Sequence, residues 1–164
     1  MNIKRISLMT GIFMTVALVS SAVEAGVIRI DGTIAGSESA APFPNPAEGF
    51  YVNGSVTSTD TQLGPFTLFY SAPVDFAFPG DDTVASRLIV GDPANGDSIL
   101  TCFLGRNSGL CANGDLRHVD PWTIIDGTGR YAGAKGSFTT DQCSNLMSGE
   151  TSGTISGTIV VRGR

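Results

Sequence analysis

The chain has 164 residues, 21 of them glycine, and carries a formal charge of −5 at neutral pH. An acidic chain without a basic cluster repels phosphate backbones, so nucleic acid and anionic lipid surfaces are not expected partners. One histidine and three cysteines without Cys-x-x-Cys spacing give no zinc site.

The N-terminus carries Lys4 and Arg5, then an uncharged apolar stretch from Ile6 to Val19, then small residues ending in Val23-Glu24-Ala25. This is the layout of a cleavable secretory signal, residues 1–25, and the stretch is shorter than the ~20 apolar residues that span a bilayer. Cleavage after Ala25 leaves a single domain, residues 26–164, with 8 basic and 14 acidic side chains. No cysteine follows the apolar stretch to accept a lipid. The mature chain is therefore expected free of the membrane, in the periplasm or the medium.

In that domain apolar residues recur at alternate positions, broken at short intervals by Gly, Pro, Asn and Asp, which is the pattern of strands. Expected strands cover residues 27–35, 50–58, 66–72, 84–90, 98–104, 122–125, 131–139 and 154–162. Pro42, Pro44 and Pro46 mark an extended loop, and Pro79-Gly80-Asp81-Asp82 and Asp92 to Asp97 mark two more. Gly32, Gly54 and Gly157 stand on the apolar faces of their strands, where a missing side chain serves a bend or the close approach of another backbone. Such curvature suits an antiparallel eight-stranded β-barrel with the first and last strands adjacent at the seam. A two-sheet β-sandwich is the alternative.

Export makes cysteine pairing the default. Cys102 and Cys111 enclose the turn-forming Gly105-Arg106-Asn107-Ser108-Gly109, so a bridge across the base of a hairpin loop is expected, with Cys111–Cys143 the rival pairing. Arg117, His118, Asp120 and Trp122 form the densest cluster suited to acid–base work. Residues two apart on a strand share a face, which makes His118 and Asp120 candidate catalytic residues; the competing reading puts them at an exposed strand end before Pro121. No Gly-x-Ser-x-Gly elbow, phosphate-cradling loop or calcium-loop spacing is present. The aromatic set Phe66, Phe69, Tyr70, Phe76 and Phe78 reads either as core or as the wall of an apolar pocket.

From Asp126 the chain runs Asp126-Gly127-Thr128-Gly129-Arg130-Tyr131-Ala132-Gly133-Ala134-Lys135-Gly136-Ser137-Phe138-Thr139. This segment resembles the Gly-Thr-Gly-x-Phe/Tyr-x-x-Ala-x-Gly signature of the dirigent and allene oxide cyclase-like β-barrels. The resemblance implies an antiparallel eight-stranded barrel, a homo-oligomer in many members, whose apolar lumen holds a small apolar or phenolic molecule and steers its cyclisation or isomerisation without a cofactor. Members that direct radical coupling carry an acid and an arginine where this chain has Arg130 and Lys135. Pocket candidates are Phe69, Tyr70, Trp122 and Lys135, with Lys135 joining His118 and Asp120 as a catalytic candidate. A non-enzymatic structural or adhesive surface protein, built by strand addition to an open sandwich edge, is the alternative function.

Overall fold

The computed structural model describes residues 26–42, 44–59, 62–75, 83–90, 93–104, 107–145 and 147–162. The expected signal segment lies outside them, as do Phe76, Phe78 and the Pro79 to Asp82 loop. Among the described residues nine strands form a single curled, barrel-like antiparallel sheet: β1 (Gly26–Pro42), β2 (Gly49–Ser58), β3 (Phe66–Asp75), β4 (Thr83–Val90), β5 (Ser98–Leu104), β6 (Asn107–Leu110), β7 (Leu116–Thr128), β8 (Lys135–Ser144) and β9 (Glu150–Val161). Their order is β5-β4-β3-β2-β1-β9-β8-β7-β6, and β5 pairs in addition with β7. All nine belong to one sheet, not to the two of a sandwich. First and last strands are neighbours over twelve residue pairs, from Gly26↔Val161 to Ser37↔Glu150. No helix among the described residues is long and apolar enough to cross a membrane.

Period-two burial builds the core. Ile30 and Ile34 of β1, Val56 of β2, Leu68 of β3, Ile99 of β5, Ile124 of β7 and Ile155 and Ile159 of β9 all turn to the inner face with at most 2% exposure. Each such side chain contributes roughly 1.5–3 kcal/mol on leaving water. Two of the glycines on this face answer to close approach. A methyl at Gly54 would overlap the Tyr70 ring, and one at Gly157 would overlap the β8 backbone at Ser137 and Phe138.

Strands β1, β7 and β8 depart most from the bounds their sequence pattern predicts. β1 runs on to Pro42, because the Ser37-Glu38-Ser39 tract keeps pairing with Ser55, Gly54 and Asn53 of β2. β7 begins six residues earlier than expected and passes through Pro121, which pairs with Thr139 of β8. Proline has no N–H to give a second neighbour, and among the described pairings the partner of Pro121 is on β8. β8 begins only at Lys135, because Gly129 (φ +58°) and Gly133 (φ +73°) make residues 129–134 a turn. The Asp126 carboxylate accepts the Gly127 and Gly133 N–H groups in that turn, which hold its carboxyl below the ordinary value. Tyr131 anchors it from within the core.

The expected Cys102–Cys111 bridge does not form; the disulfide joins Cys111 to Cys143, with the Cα atoms 6.2 Å apart. The reason is the path of the chain. β5 and β6 both lie along β7, one after the other, so Cys102 stands beside Thr123 while Leu110, just before Cys111, stands beside Leu116. The β7 residues between those two positions cover roughly 23 Å, against the ~7 Å limit for a bridged pair. The reversal comes later, at 111–115, where the Cys111 N–H donates to the Asp115 carbonyl. That turn brings Cys111 to Cys143 of β8, which pairs with Arg117 of β7. Cys102 keeps a free thiol.

Closing a 32-residue separation stabilises by about 3–4 kcal/mol through the entropy of the unfolded chain. Urea unfolding of Cys143→Ser is expected to show a loss of that size, whereas Cys102→Ser changes stability by less than about 0.5 kcal/mol. Equal losses in the two variants would contradict this pairing.

Candidate functional site

The inner face is not uniformly apolar. Towards the Glu38 end of β1, inward positions change from isoleucine to polar residues: Glu38 on β1, Tyr70 on β3, Asp120 on β7, and Thr140 and Gln142 on β8. Alternation places each of them. Glu38 continues the phase of Ile30 and Ile34, Asp120 that of Trp122 and Ile124, and Gln142 that of Phe138 and Thr140. Tyr70, Asp120 and Gln142 are 7%, 4% and 3% exposed, so desolvation makes their mutual contacts count.

The Tyr70 hydroxyl donates to Glu38 Oε1, and Gln142 Nε2 donates to the same oxygen at 3.4 Å. Burial, followed by the charge and hydrogen bond of Glu38, pushes the Tyr70 phenol far above its ordinary 10.0. A hydrogen bond with Gln142 works the other way, and the nearby Asp120 charge adds to the rise. Beneath the polar groups lies an aromatic floor. Trp122 stacks on Phe103 (centroids 3.9 Å apart) and Phe138 (5.4 Å), while Tyr70 meets Phe103 and Trp122 edge-on at 6.3 and 6.0 Å. Trp122 Nε1 donates to Thr140 Oγ1 at 2.9 Å, which fixes the indole. Half-buried Val52, Ala72 and His118 stand at the rim.

Of the residues singled out in the sequence, Tyr70, Asp120 and Trp122 therefore meet on one face, with His118 at its edge opposite Gln142. Phe69 does not join them: it alternates with Tyr70, points outward and is 46% exposed. Lys135 is also exposed, and its Nζ donates to the Ile125 carbonyl. Phe66 is core, and Phe76 and Phe78 lie outside the described residues. Glu38 and Gln142 were not among the sequence candidates. The signal that finds them is an acid or amide occurring in the inward phase of a strand.

Arg130 is committed to the fold. Its backbone N–H and Nε donate to the two carboxylate oxygens of buried Asp97 at 2.8 and 2.6 Å, tying the start of β5 to the turn after β7. Burial opposes ionisation of Asp97, yet the Arg130 hydrogen bonds and charge outweigh it and hold the carboxyl below 3.8. Among the described residues no group of His, Cys, Asp and Glu is arranged to hold a metal. No known protein family, curated protein or solved structure matches the chain.

Two titrations check these electrostatics. Because the folded pKa of Tyr70 is raised, its protonated form supports the fold fully below pH 10 and the benefit is lost at higher pH. Ultraviolet titration should show a phenol that does not ionise before alkaline unfolding and is missing in Tyr70→Phe. Asp97 has the opposite sign: its contribution is present above 3.8 and lost as pH falls through its lower folded value. The melting-temperature gap between wild type and Asp97→Asn should accordingly be full at pH 7 and shrink below about pH 4.

Proposed function

We propose that this is an exported protein whose sheet closes as an eight-stranded antiparallel barrel and which binds a small apolar or phenolic molecule at the polar end of the interior. The observation that carries the reading is the buried Tyr70–Glu38 pair, with Gln142 and Asp120 beside it, above the Trp122 and Phe103 rings. Buried polar groups cost stability that apolar residues of similar size would not, so their concentration at one end of an otherwise apolar face favours a binding role. The aromatic floor fills the interior below them. A ligand accordingly sits at the mouth, its hydroxyl or carbonyl among Glu38, Tyr70 and Gln142.

Closure is supported by the β5–β7 ladder, which gives each of the eight longer strands a partner on both sides. The same ladder weighs against assembly by strand addition, which needs an open edge. The Cys111–Cys143 disulfide accords with an oxidising compartment, periplasm or medium. The 126–139 turn accords with the dirigent and allene oxide cyclase-like resemblance, while the Arg130–Asp97 pair sets this chain apart from radical-coupling members. Any turnover at such a site is a proton shift without a cofactor, Glu38 taking a proton from one position of the bound molecule and returning it at another.

Native mass spectrometry of the protein from its own host, followed by denaturation, is expected to release a stoichiometric apolar or phenolic molecule. With 2-naphthol as probe, Trp122 fluorescence should quench saturably, and Tyr70→Phe should weaken binding roughly tenfold. An empty protein that gives no saturable quenching would overturn the proposal.

A further inference from the structure

The row that holds Glu38 is polar between two apolar ones. Register sets Glu38, Gly54 and Tyr70 side by side across β1, β2 and β3, with Gly36, Val56 and Leu68 in the inward row on one side and Ala40, Val52 and Ala72 in the inward row on the other. Beyond Ala40 and Val52 stand Pro42 and Phe50, at the end of the β1–β2 ladder. Successive inward rows lie about 7 Å apart along a strand, so apolar side chains flank the carboxylate on both sides. A negative charge in such a place is costly unless something compensates it.

The donors of the cluster are already spent. The Tyr70 hydrogen goes to Glu38 Oε1, the Gln142 amide is shared between that same oxygen and Tyr70, and the Trp122 N–H goes to Thr140. Among the described residues no donor is placed on Glu38 Oε2. The cations of the described residues also lie elsewhere: Arg29, Lys135 and Arg162 are exposed, Arg117 pairs with Asp141, Arg130 pairs with Asp97, and Arg87 occupies the outward row of Phe69. Asp120 has contacts of its own in the protein and adds a second negative charge near Tyr70, while His118 at the rim brings no counter-charge in its neutral form. Glu38 therefore asks its ligand for both a hydrogen and a positive charge. A carbonyl supplies neither, a hydroxyl supplies only the first, and a carboxylate adds repulsion; an ammonium supplies both.

We propose that the head group taken by the interior site is a primary ammonium seated on Glu38, its apolar body directed along half-buried Val52, Ala72 and Phe50, so that the ligand is a small arylalkyl or alkyl amine. This rests on the interior-site reading above and names the head group of its ligand. The test is calorimetric titration of the folded, disulfide-bonded protein near neutral pH with 2-naphthylmethylamine, 2-naphthylmethanol, 2-naphthoate and 2-naphthol. The amine is expected to bind at least about tenfold more tightly than the alcohol of the same shape, and the carboxylate to bind not at all. Glu38→Gln should bring amine and alcohol within about threefold of each other, and the wild-type ranking stands whether or not that variant folds. Binding of 2-naphthol with the amine no tighter than the alcohol would overturn the head group alone. So would a folded Glu38→Gln that keeps the amine's lead, since the charge would then be held elsewhere. No binding of any of the four would overturn the interior site, and this head group with it.

Discussion

The ladder between β5 and β7 is the constraint on which the rest of the molecule depends. Without it β5 would lack a partner on the side away from β4. With it, Phe103 is brought beside Trp122, and the aromatic floor that supports Tyr70 is assembled from β3, β5, β7 and β8 at once. The ladder is secured from both ends. At one, the Arg130–Asp97 pair and the Ser98–Thr128 hydroxyl contact bind the start of β5 to the end of β7. At the other, the Cys111–Cys143 bridge fastens the β6–β7 turn to β8.

The interior divides along its length into an isoleucine-rich part and a part where polar residues meet aromatic ones. Folding alone does not ask for the second, since inward positions in strands of this length could be apolar throughout. Glu38, Tyr70, Asp120 and Gln142 come from four strands, and Glu38 and Gln142 are 104 residues apart in sequence, so only the assembled sheet creates the cluster. Gly54 is part of the arrangement: the Tyr70 ring lies where its side chain would be, and that overlap lets the phenol reach across to Glu38.

Strand existence and the β1–β9 neighbourhood were legible because both rest on period-two alternation, which each strand carries locally. Alternation also determined that Phe69 and Tyr70 face opposite ways, although both are natural pocket residues by type. What the pattern hid was hidden for physical reasons. The polar Ser37 to Ser39 tract looks like a loop, yet it pairs because β2 supplies partners in register. Pro121 looks like a terminator, yet it pairs with Thr139 in the middle of β7. The turn-like Gly105 to Gly109 segment suggested a hairpin, but Asn107 to Leu110 pairs along β7 after β5 does, and the disulfide changed partner as a consequence. Glu38 and Gln142 escaped notice because surface positions are the usual place for such residues, and only their phase marks them as inward.

The most direct test of this account is amide hydrogen exchange with cross-strand nuclear Overhauser contacts along β5 and β7. The account predicts Hα and amide contacts linking Ser98 with Thr128 and Phe103 with Trp122, and exchange of the ladder amides as slow as those between β1 and β9. Fast exchange at β5 without those contacts, beside a protected β1–β9 ladder, would mean that the sheet stays open, and both the aromatic floor and the site above it would then lose their basis.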